Sequence, residues 1–132
     1  MSPVFSPFNL AGWPVFHDHV AMPEESPAVL LVFCTFPDET VARSVATTLV
    51  EEQLVACVNL NPAVSSIYRW EGKVETAGEV LALMKTTPAT YDALEARLQT
   101  LHPYDVPEIL AVPVERGLPG YLRWVEESVR GQ

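Results

Sequence analysis

Two strand-like runs, Ala56–Trp70 and Lys73–Thr86, face each other across the dipeptide Glu71-Gly72. A short polar-glycine step between two runs of this kind predicts a tight hairpin. The first run holds 15 residues, whereas strands in globular proteins usually hold about 5–6. At roughly 3.3 Å per residue, such a hairpin outruns any small sheet. Its outer half must then project beyond its own domain, and Pro62 bends the first strand and keeps that stretch off a central position. Ile67, Tyr68 and Trp70 would stand exposed beside unpaired backbone groups, an edge that invites strand addition from a neighbour. The expectation is an obligate oligomer with Ile67, Tyr68, Trp70 and Tyr104 at subunit interfaces. The alternative is a hairpin that folds back on its own sheet.

The flanking segments alternate cleanly. Residues 28–35 (AVLLVFCT) form a short apolar run of the kind that makes a buried central strand. Pro37 stops it and Asp38 is a good N-cap. Val41, Val45 and Leu49, stacked on Ala42, Ala46 and Val50, form the stripe of a first helix, closed by Glu51-Glu52-Gln53. Thr87-Pro88 begins a second helix, with Pro at the first helical position and Tyr91, Leu94, Leu98 and Leu101 facing inward. His102-Pro103 ends it. Ile109–Val114 reads as a fourth strand, at an edge because it carries Pro113. Residues 119–130 read as a terminal helix that buries Leu122, Val125 and Val129. The order β-α-β-β-α-β plus a final helix is the ferredoxin-like split βαβ arrangement, an α+β fold.

Residues 1–27 are different. They hold five of the 12 prolines, no Lys or Arg, and a charge of −3 out of the chain's −9. Phe5, Phe8, Trp13 and Phe16 recur there without period, and neither a basic leader followed by an apolar run nor an Arg-rich presequence is visible. This segment is read as an extended Pro-rich arm, leaving residues 28–132 as the domain. His17-Asp18-His19 puts two imidazoles on one side of an extended chain, but further ligands are missing, which favours a polar stretch of the arm.

Eight Lys and Arg against 17 Asp and Glu argue against a nucleic-acid binder, which needs a basic stripe. They also argue against a peripheral binder of anionic lipid and suit cations. No apolar run is long enough to span a bilayer. Two cysteines make no disulfide framework, which points to a reducing, cytoplasmic setting. The six glycines are scattered, with no phosphate-binding loop, so no organic cofactor is indicated.

The topology sends several distant segments to one pole of the sheet. They are the end of the first strand (Cys34, Thr35), the hairpin (Trp70 to Lys73), the end of the second helix (His102) and the entry to the fourth strand (Asp105, Glu108). Thiol and imidazole together suit copper or zinc, and Glu71 and Glu108 add carboxylates. The competing reading makes Cys34 a small buried hydrophobe and His102 a cap on helix carbonyls. Cys57, inside LVACVNL, is read as core.

Six segments resemble one known family: CTFPDETVA (34–42), LVACVNLNP (54–62), SIYRWEGKVE (66–75), LMKTT (83–87), HPYDVPEILAVPV (102–114) and YLRWV (121–125). They are similar, in kind and order, to the CutA divalent-cation-tolerance family over about residues 29–128. The resemblance implies a ferredoxin-like homotrimer whose long bent strands pair between subunits, and a role in divalent-metal tolerance without catalysis. In some bacterial members copper is attributed to the thiol matching Cys34 and to two adjacent His. Here His102 matches the second and Leu101 stands at the first. What the resemblance implies is copper(II) or another divalent cation at Cys34 and His102, with the missing ligand supplied by a carboxylate or water; the topology offers Glu71 and Glu108 as that carboxylate.

Three functions compete on these residues. The first is a homotrimeric metal-ion-response protein, not an enzyme. The second is a regulatory trimer, like the PII-type signalling proteins, binding a small molecule or protein partner at subunit clefts. The third, an enzyme using a thiolate–imidazolium pair of Cys34 and His102, lacks any nucleophile signature or orienting third group.

Overall fold

The computed structural model describes residues 28–130. Its elements are β1 (Leu30–Phe36), α1 (Glu39–Glu51), β2 (Cys57–Trp70), β3 (Lys73–Thr86), α2 (Pro88–Leu101), β4 (Ile109–Pro113) and α3 (Pro119–Ser128). The strands lie in the order β2-β3-β1-β4, each antiparallel to its neighbours. This is the ferredoxin-like α+β sheet that the alternation of patterns predicts. The arm of residues 1–27, with its His17-Asp18-His19 triplet, lies outside the described residues.

Local chemistry explains the element ends. The Asp38 carboxylate accepts the Val41 N–H at 2.8 Å, capping α1. At the other end Gln53 takes φ 60°. There the Leu54 N–H reaches back to the Leu49 carbonyl at 3.0 Å, closing the last turn without a glycine. Thr87 sits at the N-cap of α2, but its hydroxyl contacts the Thr90 hydroxyl at 3.0 Å rather than a backbone N–H. In the hairpin turn, Glu71 and Gly72 both have positive φ, 51° and 81°, the geometry that matches the twist of paired strands.

Period-two alternation assigns the sheet faces. Val32, Cys34 and Phe36 of β1 and Val80, Ala82 and Met84 of β3 are buried against Ala42, Val45, Leu49, Leu94 and Leu98 of the two long helices. Residues of opposite parity, Leu31, Phe33, Leu81 and Leu83, share the other face with Leu110 and Val112 of β4. Leu110 is 58% exposed. Below the sheet, α3 closes a second cluster of Val29, Ala56, Leu122, Val125 and Val129.

The long hairpin is present. β1 ends opposite Val80, while β3 continues seven residues further to Lys73, with β2 paired alongside. The β2 register shifts between Asn61 and Val64, around the proline expected to bend it. Ile67 is 71% and Trp70 60% exposed on the projecting part.

Two residues depart from the sequence reading. Cys57 is half-buried rather than core, because its position on β2 faces away from α1 and α2. Its Sγ lies 3.7 Å from the Tyr121 hydroxyl. Val50 is exposed rather than part of the buried stripe of α1, and it lines a shallow groove of about 300 Å³ between α1 and β2.

Candidate functional site

Cys34 is the penultimate inward-facing position of β1 and is 0% exposed. The register pairs it with Ala82 on one side and Ile109 on the other. The next residue, Thr35, presents its backbone carbonyl to α2. His102, the residue that terminates α2, is also buried, and its Nε2 lies 2.8 Å from that carbonyl oxygen. The ring stacks on Phe36 with centroids 4.6 Å apart. Pro103 then turns the chain so that the Tyr104 N–H donates to His102 Nδ1 at 3.1 Å.

These two bonds set the tautomer. Nδ1 accepts, so Nε2 carries the proton and donates to Thr35. Burial pushes the His102 pKa down, against the pull of the Thr35 carbonyl and the Glu79 charge. Both ring nitrogens are therefore engaged in a neutral imidazole. The Cys34 thiol is pushed up to about 12, first by burial, then by the charges of Glu108 and Glu79. Both groups shift toward their neutral forms, which is the reverse of a thiolate–imidazolium pair.

Glu79 joins the pole although sequence reasoning passed over it. It lies one residue beyond the β1–β3 ladder, half-buried, and accepts the Tyr104 hydroxyl at 2.8 Å. Burial and this acceptor raise the Tyr104 pKa to about 12. A Glu immediately preceding the apolar stretch 80–84 of β3 was the available signal. Glu108 immediately precedes β4, and its charge acts on the Cys34 thiol. Glu71 does not sit with them in the same chain. It occupies the hairpin turn, seven strand residues past Val80, or about 23 Å along the strand.

Among the described residues, no three His, Cys, Asp or Glu side chains lie close enough to hold a metal ion. The chemistry agrees. Cys34 is buried and neutral, the one free lone pair of the His102 ring, on Nδ1, accepts from Tyr104, and Nε2 carries a proton, so the pole in this closed arrangement does not fit a cation. No helix among the described residues is long and apolar enough to cross a membrane.

Comparison with known proteins now bears on this pole. The family model for the CutA1 divalent ion tolerance protein matches residues 30–128. This chain belongs to the CutA family.

Among CutA relatives, the divalent-cation tolerance protein CutA of Thermus thermophilus is 49% identical over 98 residues, 74% of this chain and 95% of that protein. The mouse protein CutA is 46% identical over 100 residues, 76% of this chain, but the match spans only 56% of the mouse protein. The solved structure of the Thermus thermophilus CutA protein superposes with a TM-score of 0.75 at 48% identity, covering 76% of this chain and 98% of that one. Cys34, His102, Tyr104, Glu79 and Glu108 all fall inside the CutA match, whereas the N-terminal arm falls outside it.

Proposed function

We propose that this CutA protein is a homotrimeric, cytoplasmic metal-ion-response protein that takes up divalent cations, copper among them, and catalyses no reaction. The observation that carries this reading is the match to the divalent ion tolerance family over residues 30–128, in an acidic chain of net charge −9 that sends Cys34 and His102 toward one end of the sheet. Sulfur, imidazole and carboxylate together suit borderline and soft divalent ions. The family name supports the same class of ligand.

The trimer is supported by what a single chain leaves uncovered. The hairpin carries Ile67 and Trp70 past its own sheet, and Leu110 and Val112 lie exposed on the face away from α1 and α2. Apolar area of this kind is stable in water only when covered. A projecting hairpin would also carry Glu71 toward a neighbouring subunit, the route by which that carboxylate can join a pole. Cys34 and Cys57 are both free thiols, in keeping with a reducing compartment.

Native mass spectrometry of the tag-free protein, before and after titration with copper, tests the reading. A trimer that gains ions in multiples of three, and loses them in Cys34→Ala, supports it. A trimer that takes up neither copper nor zinc above background sinks the cation role and favours the regulatory-trimer alternative.

A further inference from the structure

The last helix has two apolar sides. Leu122, Val125 and Val129 face inward and close the cluster with Val29 and Ala56. Leu118, Tyr121 and Trp124, three residues apart, face outward and are 74%, 42% and 44% exposed. The Tyr121 and Trp124 rings stand 5.6 Å apart at 36°. Paired rings of this kind form one continuous surface suited to a further aromatic residue. An exposed patch of large apolar side chains marks a contact site.

The chain enters the domain beside this surface. The Val114 N–H donates to the Val29 carbonyl at 2.9 Å, continuing the β1–β4 pairing past Leu30 and Pro113. Ala28 therefore lies alongside the connection from β4 to α3, and residues 1–27 set out from that point. Reach is ample. α3 has ten residues, or about 15 Å. The 12 residues from Phe16 to Ala28 span about 37 Å when extended. Attachment so close to the surface gives the arm an effective concentration on the order of millimolar, so a weak contact suffices to hold it.

The arm has the composition to make that contact. It carries four aromatic residues, three carboxylates and no Lys or Arg. A segment that stays in water is instead poor in aromatic residues and rich in net charge. Five prolines restrict the undocked arm and so lower the entropy lost on docking. Charge agrees as well. Arg116, Arg123 and Arg130, three of the chain's eight basic residues, lie on α3 or at its ends, where they attract Asp18, Glu24 and Glu25.

We infer that the N-terminal arm docks on the outer side of α3, with Trp13 and Phe16 packed against Tyr121, Trp124 and Leu118. The arm is then the resident occupant of this surface, and any outside ligand of α3 must displace it. The device is particular to chains that carry such an arm. The CutA match begins at residue 30, and 98 residues already span 95% of the Thermus thermophilus protein, which leaves no room there for an arm of this length. The docking is independent of the metal-ion role proposed above.

Hydroxyl-radical footprinting of the full-length protein tests it, with oxidation rates followed residue by residue by peptide mass spectrometry. Replacing the two arm anchors together, Trp13→Ser with Phe16→Ser, should raise oxidation of Tyr121 and Trp124 several-fold. Trp70, at the tip of the hairpin, should be unchanged. In the reciprocal variant Trp124→Ala, Trp13 and Phe16 should be oxidised several-fold faster than in the wild type.

Unchanged rates at Tyr121 and Trp124 in the arm variant overturn the docking. Rates that are low in both proteins assign the α3 surface to a neighbouring subunit, and rates that are high in both leave it bare. Native mass spectrometry of the same samples reads the subunit number. If the arm variant changes that number and Trp70 accelerates too, the reciprocal variant decides. Trp13 and Phe16 oxidised no faster in Trp124→Ala than in the wild type overturn the docking as well.

Discussion

His102 Nε2 lies 2.8 Å from the carbonyl oxygen of Thr35, 67 residues earlier in the chain. The contact ties the end of α2 to the end of β1, and it requires a proton on Nε2 because Nδ1 accepts from the Tyr104 backbone. A doubly protonated ring would lose that acceptor role in a buried setting. Folding therefore favours the neutral imidazole, and the His102 pKa is depressed.

The sign of the pH effect follows. The unfolded chain, with an ordinary histidine pKa near 6.5, binds the proton more readily than the folded one. The His102 contribution is fully present above about pH 6.5 and is lost as pH falls through the folded-state value. Urea midpoints at pH 7.5 and 5.5 should fall further in the wild type than in His102→Gln. Equal falls in both would refute a neutral buried imidazole.

The two thiols should separate in native alkylation. Cys34 is buried with its pKa pushed up to about 12, so at pH 8 the reactive thiolate is scarce. Cys57 is half-buried beside Tyr121. Iodoacetamide should label Cys57 first and Cys34 only slowly, until urea exposes both. Cys34 labelling ahead of Cys57 would contradict the closed pole.

Replacing Asp38 by Ala removes the side-chain acceptor for the Val41 N–H. The expected loss is about 1 kcal/mol, with Asp38→Asn recovering most of it. Chemical denaturation at one fixed protein concentration measures both variants, since association contributes to apparent stability. A loss below a few tenths of a kcal/mol would mean that solvent replaces the cap.

Leu94 is fully buried between α2 and the sheet. Leu94→Ala should cost about 2–5 kcal/mol, the transfer and cavity terms together. The exposed Leu118, 74% accessible, is the control, and Leu118→Ala should change stability by under about 0.5 kcal/mol.

The hairpin prediction concerns assembly. Ile67→Asp puts a charge on the projecting part of β2, where a single chain leaves the side chain 71% exposed. Light scattering after size exclusion should show a shift to smaller species with the circular dichroism spectrum retained. An unchanged mass would take this strand out of the subunit contact.

The element order, the Asp38 cap, the Glu71-Gly72 turn and the overlong hairpin were legible along the chain because each depends on neighbours within a few residues. Hydrophobic period, proline and capping chemistry are local, and they were enough to select the ferredoxin-like order. That the end of β1 and the end of α2 meet at one end of the sheet also followed, since strand direction alone sends both chain segments there. What local signals could not decide was side-chain partnership across the fold. Glu79 carried no sequence reading at all; the register ends β1 beside it and brings Tyr104 onto its carboxylate. Cys57 looked like core until its strand parity turned it away from α1 and α2. Glu71 looked like a companion of Cys34 until the ladder set it at the far tip of the hairpin. Sequence by itself determined which elements form and in what order, because those are short-range preferences. Only the tertiary structure decided which polar atoms meet, because hydrogen-bond partners are chosen by register and by the path of one turn, and a single residue of slip would exchange them all.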